Sequence, residues 1–457
     1  MTRRVRCASQ MIRCTVLALC GMGLPWQSSA MDLTQTWTQA RQQDATYRAA
    51  MYGVQATREA MPQAVSQLLP NMSFSGSNNK VNLNKTENGV TQAPFAYNSA
   101  NSTLTIRQTL FRKNQFAQFE QAQAQWVGSV ADESRAEIEL LTRITGYYFE
   151  ALYAEDVVAA TEKLLEATQG QLKAAQRFFD KGQGTRTDVD EVQARLDQVI
   201  TQSLQVKQQL LYNKHQLESA LNAPVDHLAR LDAAQFTVQA PAFDLQHFMD
   251  LAEVENPDLA LAKAKVEVAR LEVVKAESGH LPTVDWVAQK SLSKSENLIN
   301  PLATYLTYQT GIQVNVPLFS GGYTQSTVRQ SQAYLDRERE NLEQARRTLA
   351  LQVRKEYQNI TEGLLKVRAL EQALRSAQQL VVSSQKSIQA GVRTQTDLLN
   401  ALQREAEAKR DLWQGRYQFL MAQQKLAVLT GATPLSATED INRLLLSDAK
   451  PVMAQSN

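Results

Sequence analysis

Apolar residues recur every seven positions along two long, otherwise polar stretches of this chain. Between positions 322 and 390, Leu335, Leu342 and Leu349 are spaced by sevens. The register then slips by four to Val353 and runs on through Ile360, Val367, Leu374, Val381 and Ile388. Such a seam predicts one long helix with coiled-coil packing, and the slip is a stutter that locally relaxes the supercoil. A matching seam, Val130, Ile144, Ala151, Val158, Leu165, Leu172 and Phe179, predicts a second long helix over 112–181, interrupted once by Glu137. None of the twelve prolines falls within 112–223 or 318–433. Both stretches are rich in Ala, Gln, Glu, Leu, Arg and Lys, the strong helix formers.

Ahead of each long helix the period changes to two. Segments 72–84 and 98–111, then 283–294 and 304–319, alternate as strands do, with Asn88-Gly89 and Asn300-Pro301 marking the loops between them. Each is long enough to cross an outer membrane when tilted. Phe74, Phe95, Tyr97, Trp286, Tyr305 and Tyr308 are candidates for an interfacial girdle. Four strands cannot close a barrel, so entry into a bilayer requires oligomerisation, and three copies would supply twelve strands.

The two patterns belong to a duplication. Leu110-Phe111, Asp188-Val189 and Leu221-Asn222 return as Leu318-Phe319, Asp397-Leu398 and Leu429-Thr430. Leu69-Pro70 returns as Leu281-Pro282, and GQGTRTDV at Gly182 as GVRTQTDL at Gly391. Repeat 1 covers 31–222, with helices over 32–66, 112–181 and 188–221. Repeat 2 covers 244–431, with helices over 247–279, 322–390 and 395–430. In each, the two shorter helices together match the long one, so each repeat predicts a rod roughly 100 Å long. The mixed segments 223–243 and 432–457 read as an equatorial belt around its middle.

Composition narrows the setting. Arg3, Arg4, Arg6 and Arg13, the apolar run Val16 to Leu24 and the small-residue site Ser28-Ser29-Ala30 make residues 1–30 an export signal, with cleavage expected after Ala30. Leu17-Ala18-Leu19-Cys20 loosely resembles a lipid-attachment site, but the residue before such a cysteine is normally small and Leu19 is not. All three cysteines lie in this signal, so the mature chain has no disulfide or cysteine chemistry. The mature balance, 44 basic against 46 acidic residues, shows no basic stripe and argues against nucleic acid. No apolar run approaches the length of a transmembrane helix, so a membrane crossing requires a closed barrel.

With the signal, the tandem repeats, LP before each first strand, VPLFSGG at 316–322 and GVRTQTDLL at 391–399, the mature chain resembles the TolC family of outer-membrane channel-tunnels over residues 31 to about 440. The resemblance implies a mainly α fold with a small β part. It would be a homotrimer whose twelve-stranded β-barrel in the outer membrane of a Gram-negative bacterium continues into a periplasmic tunnel of twelve helices. It implies a passive exit duct for type I secretion or multidrug efflux, joined by a periplasmic adaptor and an inner-membrane ABC or RND-type pump. The competing reading is a periplasmic coiled-coil adaptor or scaffold that never enters a membrane, against which two full repeats and paired strands count.

The tip turns carry the candidate site. Gly182, Gly184 and Gly391 give the backbone its freedom between antiparallel helices, and Thr185 and Thr394 complete the expected docking tips. Asp188 and Asp397 begin the returning helices, where a carboxylate caps free amides. The resemblance further implies that Arg393 bonds across to Thr187 and Asp188 to hold the entrance closed. Ile388 stands where the family pattern carries a tyrosine that bonds the first tip's acid. Asp397 matches a lumen-facing acid, while Asn400, one turn on, replaces a second, so a single ring of three carboxylates is expected. His215, His227, His247 and His280 lack metal-ligand spacing, and no phosphate loop, nucleophile elbow or catalytic acid pair is present. No cofactor or enzymatic activity is expected.

Overall fold

The computed structural model describes residues 30–232, 236, 238, 240–294, 303–390 and 392–445. Residues 1–29 of the expected signal and the Asn300-Pro301 loop lie outside the described residues. Repeat 1 runs α1 (Leu33–Gln43), α2 (Ala45–Arg58), α3 (Ala60–Ser66), β1 (Asn71–Leu83), β2 (Thr86–Glu87), β3 (Val90–Thr91), β4 (Phe95–Phe111), α4 (Lys113–Asp180) and α5 (Arg186–Leu221). Repeat 2 runs α6 (Leu245–Glu255), α7 (Pro257–Glu277), β5 (Thr283–Lys294), β6 (Thr304–Asn315), α8 (Tyr323–Gln389), α9 (Gln395–Leu429) and α10 (Pro434–Asn442). Helices α4 and α8, of 68 and 67 residues, each extend roughly 100 Å. Helices α2 and α7 pack on α4 towards the sheet, and α5 and α9 pack on it towards the far end.

The shorter helices differ from the continuous ones expected over 32–66 and 247–279. The first is three helices, broken at Asp44 and again near Glu59, and the second is two, broken at Asn256. Pro257 forces the residue before it out of the helical region. Asn256 accordingly sits at φ −71°, ψ 127° and caps Asp258 N through its side chain. Asp44, its counterpart 212 positions earlier, adopts φ −64°, ψ 121° with no proline and caps Tyr47 N. The expected strand over 304–319 ends at Asn315, since Pro317 has no amide to donate. The loop at Asn88-Gly89 is itself a small hairpin of β2 and β3, both turn residues having positive φ. The tail contains the unexpected helix α10, with Pro434 in its first turn.

The four long strands form one antiparallel sheet in the order β1-β4-β5-β6, so the repeats join through β4 and β5. Alternation gives its two faces opposite character. The rungs Met72–Ile106–Ala288–Thr310, Phe74–Leu104–Lys290–Tyr308 and Gly76–Ser102–Leu292–Leu306 lie on the mainly apolar face. Ser73–Thr105–Gln289–Gln309 and Ser75–Thr103–Ser291–Thr307 lie on the polar one. The buried strand residues Thr103, Asp285 and Ser293 are all on the polar face, whereas Phe74, Trp286, Tyr308 and Ile312 are exposed on the other. At the base of the sheet Arg112 grips Asp285 with both Nε (3.0 Å) and Nη2 (2.5 Å), tying the start of α4 in repeat 1 to β5 in repeat 2. Gly321 and Gly322, both at positive φ, make the bend into α8.

The core sits at mid-rod. Phe149 stacks on Tyr417 and meets Tyr148 edge-on, Trp413 also stacks on Tyr417, and Phe236 meets Phe419 edge-on. The Tyr148 hydroxyl shares its proton between the carbonyls of Ala229 (2.8 Å) and Met31 (3.1 Å), and so ties the segment before α1 and the linker after α5 to α4. Bridges Met31–Leu228 and Leu231–Leu445 close a belt of segments around the rod. The Tyr417 hydroxyl donates to Asp156 Oδ2 at 2.7 Å. Burial raises the Asp156 carboxyl above its ordinary range, partly opposed by that bond. Glu137, the acid that interrupts the first seam, is paired with Arg41 of α1 at 2.8 Å.

Candidate functional site

The far ends of the two helix pairs are built by the same local chemistry. At the first, α4 ends in a Schellman turn: Gly182 N donates to Phe179 O (2.9 Å) and Gln183 N to Phe178 O (2.8 Å). Gly182 takes the left-handed conformation at φ +72° that this turn demands. Gly184 has a different reason. A Cβ there would lie 3.3 Å from Phe179 N and 3.4 Å from Phe178 Cβ, so the turn folds back onto the end of α4. Thr185 then caps α5: its hydroxyl accepts from Asp188 N (3.2 Å), while Asp188 Oδ2 accepts from Thr185 N (2.9 Å) and Thr185 Oγ1 (2.7 Å).

The second tip repeats this. Val392 N donates to Ser387 O at 2.9 Å, the long bond of the same motif, although Gly391 itself lies outside the described residues. Thr394 caps α9 and Asp397 returns the bond, with Oδ2 2.9 Å from the Thr394 hydroxyl and 3.0 Å from its amide. Both carboxyls are held below their ordinary range, first by the threonine amide and then by its hydroxyl. Arg393 lowers Asp397 further. Each acid is exposed and anionic, and each has its Oδ2 committed to its own turn.

Within the shared turn the two tips differ at Gln183/Val392, Gly184/Arg393 and Arg186/Gln395, and the second of these introduces an arginine beside the cap. Within the chain, Arg393 Nη1 donates to Ser384 Oγ at 2.7 Å. That serine is fully buried in α8, one turn before Ile388, and is the tip residue that sequence reading missed. Its signal was a hydroxyl near the apolar seam between Val381 and Ile388. The structure therefore places Arg393 on its own hairpin and Asp188 on its own cap, with no bond between them in one chain among the described residues. Thr187 and Asn400 are exposed, and Ile388 is half-buried. Behind the turns, Ala175, Val189, Val192 and Leu399 form a small apolar cluster joining α4, α5 and α9, and so bring the two hairpins together.

Among the described residues no helix is long and apolar enough to cross a membrane. The two-faced sheet is instead the element suited to a bilayer, with an apolar face for lipid and a polar one for a lumen.

Known proteins agree with this architecture. The family model for the outer membrane efflux protein matches residues 37–223 and 248–432, one segment for each repeat. The alkaline protease secretion protein AprF of Pseudomonas aeruginosa is 33% identical over 88% of this chain and 85% of its own length. The proteases secretion protein PrtF of Dickeya chrysanthemi is 29% identical over 88% and 89%. The crystal structure of the outer membrane protein VceC of Vibrio cholerae superposes with a TM-score of 0.74 at 16% identity, covering 88% of this chain and 96% of that one. Two matched repeats, a long-helix rod and a bilayer-suited sheet thus converge: the chain belongs to the outer membrane efflux protein family and is an outer-membrane channel-tunnel, the passive exit duct of a secretion or efflux system.

Proposed function

We propose that three copies of this chain close into one continuous duct and that its periplasmic tips are an iris latched by Arg393. The observation that carries the reading is the open sheet. Strands β1 and β6 are its unpaired edges, exposed along nearly their whole length, and an open edge of this size is satisfied only by another strand. Pairing β6 of one copy with β1 of the next gives twelve strands around a polar lumen, and the rods follow as a ring of helices.

The energy for transport comes from outside the chain, through a periplasmic adaptor docked on the tips at Gly182, Gly184, Thr185, Gly391 and Thr394 and an inner-membrane pump. An ABC-type pump and a protein cargo are favoured, because the relatives AprF and PrtF are named for protease secretion. No catalytic role is assigned to any residue. Arg393 has five N–H donors and Ser384 takes one, which leaves the guanidinium able to bond Thr187 and Asp188 of the first tip turn in the closed ring. Each such exposed bond contributes about 0.2–1 kcal/mol, and three acting on one iris set its open fraction. Adaptor binding opens it by favouring the open state. Asp397 supplies one ring of carboxylates and a moderate cation preference, with Asn400 adding no charge.

Single-channel conductance of the purified oligomer in planar bilayers tests this, wild type beside Arg393→Ser. A small, steady wild-type conductance that rises clearly in the variant is expected. An unchanged large conductance would move the gate elsewhere, and a folded chain that remains a soluble monomer would return the case to a periplasmic scaffold.

A further inference from the structure

The apolar face of the sheet is interrupted by three lysines and, among the described strand residues, by no acid. Lys290 stands in the rung Phe74–Leu104–Lys290–Tyr308, Lys294 pairs with Ala100 and Thr304, and Lys80 pairs with Asn98. All three are exposed. Nearer the base the face presents Met72, Phe74, Leu104, Trp286, Tyr308 and Ile312, which makes it the lipid-facing one, and it turns polar at its outer end, where Asn78, Asn82, Asn98 and Thr304 surround Lys80 and Lys294. Charge on that surface is costly unless it finds a partner, by about 2–4 kcal/mol at mid-depth. The one acid of these strands, Asp285, lies on the opposite face and is held by Arg112, so no described strand residue neutralises the three lysines.

Depth indicates which leaflet. The sheet's base, at Asn71, Thr283 and Asn315, joins the helical rod. Lys294 ends β5 at the opposite, outer end, Lys80 is one rung further out on β1, and Lys290 lies two rungs nearer the base. At about 3.4 Å per residue the three span roughly 20 Å along the strands, with Lys80 and Lys294 at the outer end and Lys290, level with Leu104, near the middle of the sheet. Lys80 and Lys294 are two strands apart, about 10 Å laterally, within converging reach of two lysine side chains. Beneath them Lys290 Nζ lies 5.3 Å over the Tyr308 ring. It borders a groove of about 290 Å³ lined by Leu104, Ile106, Ala288, Tyr308 and Thr310, a trough shaped for an acyl chain under a charged head.

We infer that Lys80, Lys290 and Lys294 form a binding site for the phosphorylated headgroup of an outer-leaflet lipid, with an acyl chain lying in the Tyr308 groove. The inference rests on the reading that this face meets the bilayer. Anionic groups at a membrane surface attract each nearby lysine by about a factor of five, so three together retain a doubly phosphorylated glycolipid against zwitterionic lipid.

The test uses the purified oligomer in phosphatidylethanolamine vesicles doped with bisphosphorylated lipid A or with its dephosphorylated form. Lipid retained after extraction is quantified by mass spectrometry. Wild type is expected to retain the phosphorylated lipid at least about tenfold better than the variant Lys80→Gln/Lys290→Gln/Lys294→Gln, and lysine-to-arginine replacements are expected to restore retention. Unaltered oligomer yield and conductance in the glutamine variant show that folding is intact. Equal retention of the dephosphorylated lipid, or retention undiminished in the variant, overturns the site. Displacement by inorganic phosphate alone would make it a small-anion site and also overturn it. Failure of wild type to insert into any vesicle defeats the barrel reading itself, which is a distinguishable result.

Discussion

The middle of the rod and its tips are built from the same heptad seams, yet they are held very differently. At mid-rod, Leu349, Val353, Ile360 and Val367 are buried and face a ring-rich core fastened by Tyr148 to two belt segments. Towards the tips the same seam passes through Leu374, Val381 and Ile388, which are only half-buried, and the seam of α4 ends at Phe179, which is exposed. What joins the hairpins there is a cluster of only four buried apolar side chains behind turns that cap themselves. Local stability follows the number of buried apolar contacts, so within one chain the equatorial collar is the more firmly held part and the tips the less firmly held. The proposed iris would use this gradient to open at one end while the equator holds.

The largest expected effect breaks the collar. Phe149→Ala removes a ring that is 1% exposed and touches both Tyr148 and Tyr417, at a cost of about 3–5 kcal/mol. Thermal unfolding followed by helical circular dichroism should show the whole rod losing stability. A loss confined to one end would contradict a single collar. The tip counterpart is Val192→Ala, which empties part of the small cluster at about 2 kcal/mol. Its signature is local: faster amide exchange around 175–199 and 392–403 with a nearly unchanged unfolding midpoint. Equal effects on both observables would mean that the tips and the equator form one cooperative unit.

The gradient itself was not legible from periodicity, because a seam residue reads the same whether a second layer covers it or not. The long helices and the two-faced sheet were legible. Their signals are repeated locally, in sevens or in alternation, over many residues. The helix break at Asn256 went unread within the helix expected over 247–279 although Pro257 marks it, and the equivalent break at Asp44 has no proline and rests on an aspartate cap alone. Glu137 reads as a flaw in an apolar seam until Arg41, 96 positions earlier, is seen beside it. Ser384 was missed for the opposite reason: it is a small polar residue of no special type, given its place by an arginine that arrives from the turn. Partners distant in sequence leave no pattern along the chain.

The smallest effect sharpens the comparison most, because it asks whether the tips are deliberately loose. Ile388 occupies a half-buried position one turn after Ser384 and contributes no hydrogen bond through its side chain. Ile388→Tyr would place a hydroxyl near the tips, where Asp188 Oδ2 is committed to Thr185 and Oδ1 is the oxygen left to accept. One added bond at a partly wet site contributes about 0.5 kcal/mol, and three in a ring about 1.5 kcal/mol. That shifts an open-to-closed ratio by roughly tenfold without touching the collar. The expected readout is a lower resting conductance with an unchanged unfolding midpoint, reversed when Asp188→Asn weakens the acceptor. A conductance that does not fall would place the closing contact away from this acid. The isoleucine would then be a packing residue of α8 and no part of the latch.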